Sequence, residues 1–216
     1  MSRLLFLDLS STRRMRPFSQ RMLLALLAEW DLDRDEDLLE AVHLFVGKEG
    51  LLRSGELVSG FLLAAIEWDG DRKGFSLLLK RTKVCRAGDG EKVHFYDHKG
   101  VSAVKLMRMY FDRYGLWNAA GGKRVFPASA NRDWLINLIK RSVKKLGLNP
   151  TFYSGHSLRA GGATDLFVAR VPYFIVKKYG RWKSDVAMIY YRDDEDMKRE
   201  LKRALGALSC MGEDNF

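Results

Sequence analysis

The sequence predicts an α+β fold, mainly α-helical, in which a small antiparallel β-sheet packs on a helical core. Two patterns predict the architecture. Apolar residues recur at helical spacing on both sides of one short central stretch, and within that stretch strand-like runs alternate with Gly and Asp turn residues. Composition agrees, because 47% of the 216 residues are hydrophobic, enough for a sizeable core in one ordinary domain or one domain plus a small appendage.

Leu23, Leu24, Leu27 and Trp30 follow a helical period after Pro17 and Ser19, and Leu38, Leu39, Val42, Phe45 and Val46 do so after Asp35, a candidate cap. Phe61 to Trp68 reads as a strand running into the turn Asp69-Gly70-Asp71. Phe75 to Thr82 and Lys92 to Tyr96 read as a hairpin around Ala87-Gly88-Asp89-Gly90. From Ser102 onward the period is helical again, through Val104, Leu106, Met107, Tyr110 and Phe111. A further helix carries Trp134, Leu135, Leu138, Ile139, Val143 and Leu146 behind the cap candidate Asn131. Gly155 closes the next loop, so a helix starts at His156 or Ser157. Near the end, Met197, Leu201, Leu205 and Leu208 form one stripe of a helix over Asp194 to Leu208.

Charge narrows the partner. Lys plus Arg number 37 against 27 Asp plus Glu, a net +10 that favours polyanions, although ribosomal and membrane-surface proteins share it. Basic residues cluster at Lys80, Arg81 and Lys83, at Lys140, Arg141, Lys144 and Lys145, and at Lys177, Lys178, Arg181 and Lys183. Such clusters are either solvated faces or the walls of one DNA groove. No metal site is expected, since Cys85 and Cys210 stand apart with no CxxC and no matching His spacing. Cysteine usage favours a reducing, intracellular compartment. No apolar run approaches the roughly 20 residues of a membrane span. An organellar address at the Arg- and Ser-containing start stays open.

The chemistry is concentrated in the last third, where His156, Arg159, Trp182 and Tyr191 follow at intervals of 3, 23 and 9 residues. A helix beginning near Gly155 points backbone N–H groups at an anion, and its His156 and Arg159 share one face. A guanidinium offers a planar fork for two phosphate oxygens and stabilises charge building on phosphorus. Arg53, with Glu56 three residues on to orient it, would complete the clamp. A phenol titrates near 10 and needs a base or a strongly electrostatic site before it attacks. Tyr191 is the candidate nucleophile, His156 the group that accepts or relays its proton, and Lys83, at the hairpin bend, the general acid for the departing oxygen.

Taken together, Arg53 in LLRSGEL, Lys83 in RTK, His156 with Arg159 in SGHSLR, Trp182 and Tyr191 resemble the catalytic domain of the tyrosine recombinases, the integrase family that includes Cre-type enzymes. The resemblance runs from about Glu49 to Arg192. It implies transesterification on double-stranded DNA without metal, cofactor or ATP. The phenol attacks a scissile phosphate, a 3'-phosphotyrosyl link forms, and a second strand's 5'-hydroxyl later reverses it. It also implies that Glu56 supports Arg53, and that Trp182 both donates to a non-bridging oxygen and packs the helix bearing the nucleophile. DNA recombination or integration by a mobile element is the expected setting, with the protein located with the genomic DNA, in nucleus or nucleoid.

Alternatives stay open at this level. Tyr190 competes with Tyr191, because adjacent helical residues point about 100 degrees apart and one of them faces the phosphate. Lys80 and Arg81 compete with Lys83 through an uncertain hairpin register. Arg81, Lys80, Lys140, Lys144, Arg181 and Lys183 are the candidate DNA contacts. Residues 1–30 read as a basic arm and first helix, a reduced or missing form of the family's N-terminal clamp, 31–192 as the catalytic domain and 193–216 as a C-terminal helix and tail. The first two helices could equally begin the catalytic domain itself. The C-terminal helix either packs on its own chain or docks on a neighbour to give a dimer or tetramer on DNA. A type IB topoisomerase, or a recombinase remnant that binds DNA without cutting it, would share much of this pattern.

Overall fold

The computed structural model describes residues 15–58, 61–79 and 90–190. Helix α1 (Gln20–Leu27) starts where Ser19 accepts the Met22 N–H on its hydroxyl at 3.4 Å, as the Pro-x-Ser start predicts. In α2 (Asp35–Glu49) the N-cap is Arg34 and not Asp35. Asp35, Glu36 and Asp37 instead fill the first turn, where the positive end of the helix dipole favours carboxylates. From Ala41 to Lys48 every residue of α2 is buried, because neighbours surround this helix on all sides.

One buried polar residue of α2 gives the fold a pH dependence. The His43 Nδ1–H donates to the Leu39 carbonyl at 2.8 Å, its Nε2 has no partner, and its ring packs 4.2 Å from Phe126 and 4.8 Å from Trp134. Burial pulls its pKa down to about 4, against the opposing effect of the Leu39 bond. The unfolded chain therefore takes up a proton below pH 6.5 that the native chain refuses. Stability should fall as pH drops from about 6.5 to about 4, by about 3 kcal/mol from this group. Urea unfolding of wild type and His43→Phe across that range checks it, since the variant should lose most of this slope.

The sheet has strands β1 (Ile66–Trp68), β2 (Gly74–Leu79) and β3 (Glu91–Tyr96), ordered β1-β2-β3 and antiparallel throughout. Phe75 lies opposite both Trp68 and Phe95, stacking on Phe95 at 4.4 Å, so the aromatics form one buried face. The first strand is shorter than Phe61 to Trp68. Leu63–Ala65 turns as a 3-10 helix, and the backbone groups around it pair with a loop: Val125 N–H with the Phe61 carbonyl at 2.7 Å, Leu63 N–H with that of Lys123 at 3.0 Å. The tip of the hairpin lies outside the described residues.

Helices α3 (Ser54–Val58), α4 (Ala103–Arg113), α5 (Arg132–Lys145), α6 (His156–Val168) and α7 (Tyr173–Tyr179) complete the set with 3-10 turns at Pro150–Phe152 and Asp185–Tyr190. Ser102 caps α4 by accepting from Lys105 N at 3.2 Å, and Asn131 caps α5 by accepting from Trp134 N at 3.0 Å. Short α3 escapes periodicity but has a cap. The Glu56 carboxylate accepts the Arg53 N–H at 2.9 Å, the reverse half of a capping box. Phe18, Leu23, Leu26 and Trp30 share one core cluster with α2, α4, α5 and the sheet. From Phe18 onward, then, the first helix packs as part of the same unit. No described helix is long and apolar enough to cross a membrane.

Several helices end in a shared way that shapes the site. α2, α4, α5, α6 and α7 each stop with a left-handed residue just past the end, followed by a residue whose N–H reaches five positions back. At α4 and α5 that residue is Gly115 and Gly147, as expected. At α2, α6 and α7 it is Leu51 (φ 46°), Arg170 (φ 63°) and Arg181 (φ 59°), a conformation costing a side-chain-bearing residue about 1–2 kcal/mol. Leu51 and Arg181 both belong to the site.

Candidate active site

Two helix starts are brought together by a glycine. A Cβ at Gly155 would sit 2.6 Å from the Ser54 Cβ, so only a bare backbone lets α6 begin against α3. This contact sets His156 of α6 near Arg53, the residue that precedes α3. Arg53 is fastened twice to Glu56, through its N–H and through a guanidinium ion pair, and its side chain stays 30% exposed. That leaves the guanidinium able to meet a ligand.

Arg159 lies one turn into α6 and is 1% exposed. Its Nη1 donates to the Leu51 carbonyl and its Nη2 to the Gly180 carbonyl, while Trp182 covers the guanidinium with its ring centroid 4.1 Å away. The left-handed turn at Leu51 aims that carbonyl inward. Trp182 in turn lies against bare Gly180, whose Cβ would overlap the indole.

His156 remains accessible at the mouth. Partial burial, then the charges of Arg159 and Arg53, hold its pKa below the usual histidine value, which favours the neutral ring. Its Nε2 is hydrogen-bonded to the Tyr190 hydroxyl. Tyr190 ends the Asp185–Tyr190 turn, is 6% exposed and packs 5.5 Å from Trp182. Burial raises its pKa, whereas the charges of Arg159 and Arg53 oppose that rise. The turn is anchored at its other end, where Asp185 accepts the Tyr173 hydroxyl at 2.8 Å and Lys177 at 2.6 Å.

Glu56 is the carboxylate among these cations. Burial pushes its pKa up, but Arg181, then the Arg53 N–H and guanidinium, outweigh that and leave it below the usual value. Burial is also the largest influence on Arg159, lowering its pKa, and Arg53 and Arg181 act in the same direction against Glu56. Three guanidinium groups around one carboxylate make a pocket short of negative charge. A phosphate would supply it.

The sequence matches no protein-family model and no curated protein. Solved structures are similar. The XerH site-specific recombinase bound to palindromic difH substrate, a post-cleavage complex, aligns over 87% of this chain and 52% of its own with TM-score 0.65 and 14% identity. The fold is that of a tyrosine recombinase catalytic domain. XerA recombinase gives 0.63 at 15% identity over 88% of this chain and 65% of its own. The Tn1549 transposon integrase with transposon right end DNA gives 0.61 at 14% identity, over 89% and 67%. The chain thus spans about half to two-thirds of the length of these structures.

Within this fold, Arg53, Glu56, His156, Arg159 and Trp182 lie close together. Tyr191, Lys83, Lys80 and Arg81 lie outside the described residues. Lys140 and Lys144 stand exposed on α5, and Lys183 is exposed beyond α7. Arg181, expected among the surface cations, is buried instead, paired with Glu56 at 2.8 Å. Its place could not be read from charge, which marks a cation but not the side it faces. The Tyr190 contact was foreshadowed only by the tyrosine doublet. Among the described residues no group of three or more His, Cys, Asp or Glu could hold a metal.

Proposed function

We propose that this chain breaks and rejoins DNA strands through a phosphotyrosyl intermediate, as a recombinase or integrase. The observation that carries the reading is a phenol hydrogen-bonded to His156 inside a pocket lined by Arg53 and Arg159. A phenolic oxygen attacks phosphorus, His156 takes or relays its proton, and a P–O bond forms as the bond to the 5'-oxygen breaks. That oxygen leaves with a proton, for which Lys83 is the proposed donor. Arg53 and Arg159 bind the non-bridging oxygens, holding charge in a site already arranged to receive it. The reverse reaction, from a 5'-hydroxyl of another strand, reseals the DNA with no net loss of phosphodiester bonds.

Tyr191, nine residues after Trp182, is the nucleophile that spacing assigns. The Tyr190 hydroxyl on His156 favours a second reading, in which Tyr190 attacks. A nicked suicide duplex, selected from a random library, separates them by trapping the covalent complex. If Tyr191 attacks, Tyr191→Phe abolishes the trapped band and Tyr190→Phe keeps it; the reverse result assigns Tyr190. The same assay tests the family's neighbours in function. Relaxation of supercoils by a monomer would mark a type IB topoisomerase, and tight salt-sensitive binding with no trapped band would mark a non-catalytic DNA-binding protein. The catalytic unit is proposed to include the first helix, which shares its core from Phe18 onward, and to run to residue 192. Lys140, Lys144 and Lys183 are proposed to contact phosphates, and the C-terminal helix and tail expected over 193–216 to join subunits into a dimer or tetramer on DNA.

A further inference from the structure

We propose that Arg181 is a positioning residue, whose buried guanidinium ties Glu56 to the Leu51 carbonyl and so holds Arg53 and Arg159 in register for one phosphate. The inference rests on the function proposed above.

The geometry is specific. Arg181 Nη2 donates to Leu51 O at 2.9 Å and to Glu56 Oε2 at 2.8 Å, while Nη1 donates to Gly50 O at 3.2 Å and Tyr179 O at 3.1 Å. Each shared acceptor leads to a different phosphate-binding arginine. Glu56 also holds Arg53, and the Leu51 carbonyl also holds Arg159. Arg181 is therefore in contact with both anchors, and it is buried with each Nη bonded to two protein acceptors.

Its backbone points the same way. Arg181 occupies the left-handed position that ends α7, where Gly115 and Gly147 stand at the ends of α4 and α5. An arginine there accepts backbone strain, and its Nε is buried without a partner. Neither feature favours stability. Both are accounted for if the fork is required, because a planar guanidinium spans a carbonyl and a carboxylate together whereas an ammonium is a single point of charge.

The test uses the full chain with Arg181→Gly, which relaxes the turn and removes the fork, and Arg181→Lys, which keeps the charge alone. Single-turnover formation of the covalent complex on the nicked duplex should slow by about 100-fold in Arg181→Gly, with DNA affinity and its salt dependence unchanged. The Glu56 carboxyl, followed by carbon NMR, should titrate at higher pH in that variant. Arg53 at the start of α3 and Arg159 from α6 still face it, but the cation that most opposes its burial is gone. Arg181→Lys should also cleave slowly, and it carries the kinetic test if the glycine variant does not fold. Cleavage at the wild-type rate in both variants would overturn the proposal, as would a loss confined to DNA affinity with a shallower salt dependence. Wild type forming no adduct would instead bring down the strand-transfer reading. In that event an unmoved Glu56 titration overturns the clamp, and an upward shift supports its structural half.

Discussion

Arg159→Met should slow strand cleavage by about 100- to 1000-fold, the usual cost of one preorganised donor to a developing negative charge, with little loss of fold stability. Two opposing effects keep the stability change small. Losing the guanidinium leaves the Gly180 carbonyl without this donor, which costs about 1–3 kcal/mol, although the Leu51 carbonyl keeps Arg181. Against that, a desolvated cation beside Arg53 and Arg181 is removed and replaced by a side chain that packs under Trp182. Thermal unfolding paired with single-turnover cleavage checks both halves. If Arg159 were mainly structural, the melting temperature would collapse, and cleavage by the surviving folded fraction would stay near normal.

Gly161→Ala should do the opposite, destabilising the fold by about 2 kcal/mol or more through overpacking, despite alanine's better helix propensity. A Cβ on Gly161 would overlap the carbonyl of Phe18, and the Phe18 amide lies 2.9 Å from the same point. Backbone cannot rotate out of the way as a side chain does. The strand of chain at Phe18 is also bonded to α6, its N–H donating to the Ser157 carbonyl at 2.9 Å. A shift there would move the helix turn that carries His156 and Arg159. Gly55→Ala is the control, since nothing lies within 4 Å of its Cβ position in α3. Urea denaturation should show Gly55→Ala unchanged or slightly stabilised while Gly161→Ala unfolds at lower urea.

The contrast between these two glycines shows how far sequence reading reaches. The cap at Asn131 and the helix starts at Ser19 and Ser102 were legible because a side-chain oxygen three residues before a free N–H is a local relation. His156 and Arg159 were legible for the same reason, one helical turn being fixed geometry. Long-range relations were not. Nothing local distinguishes Gly55 from Gly161, or an arginine on the surface from Arg181 beneath it, because burial depends on which distant segment arrives. Phe61 to Trp68 has strand-like composition throughout, yet the loop around Lys123 and Val125 captures its first half. Asp35 looked like a cap beside two other acids, and a residue one place earlier took that position.

The Tyr190–Tyr191 doublet marks the limit most clearly. Spacing from Trp182 selects Tyr191, while hydrogen bonding to His156 selects Tyr190. The proposed chemistry is the same in either case: Arg53 and Arg159 would stabilise the attack of a phenol on phosphorus. Strand transfer of this kind requires that one phenolic oxygen of the pair becomes covalently joined to DNA.

The most direct measurement is peptide mapping by mass spectrometry of the complex trapped on the nicked suicide duplex. The expected product is a 3'-phosphate linked to the phenolic oxygen of Tyr190 or Tyr191, with no adduct from the Tyr190→Phe/Tyr191→Phe double variant. An adduct that persists in the double variant, or tight salt-sensitive DNA binding by the wild type with no covalent link on any selected duplex, would contradict it.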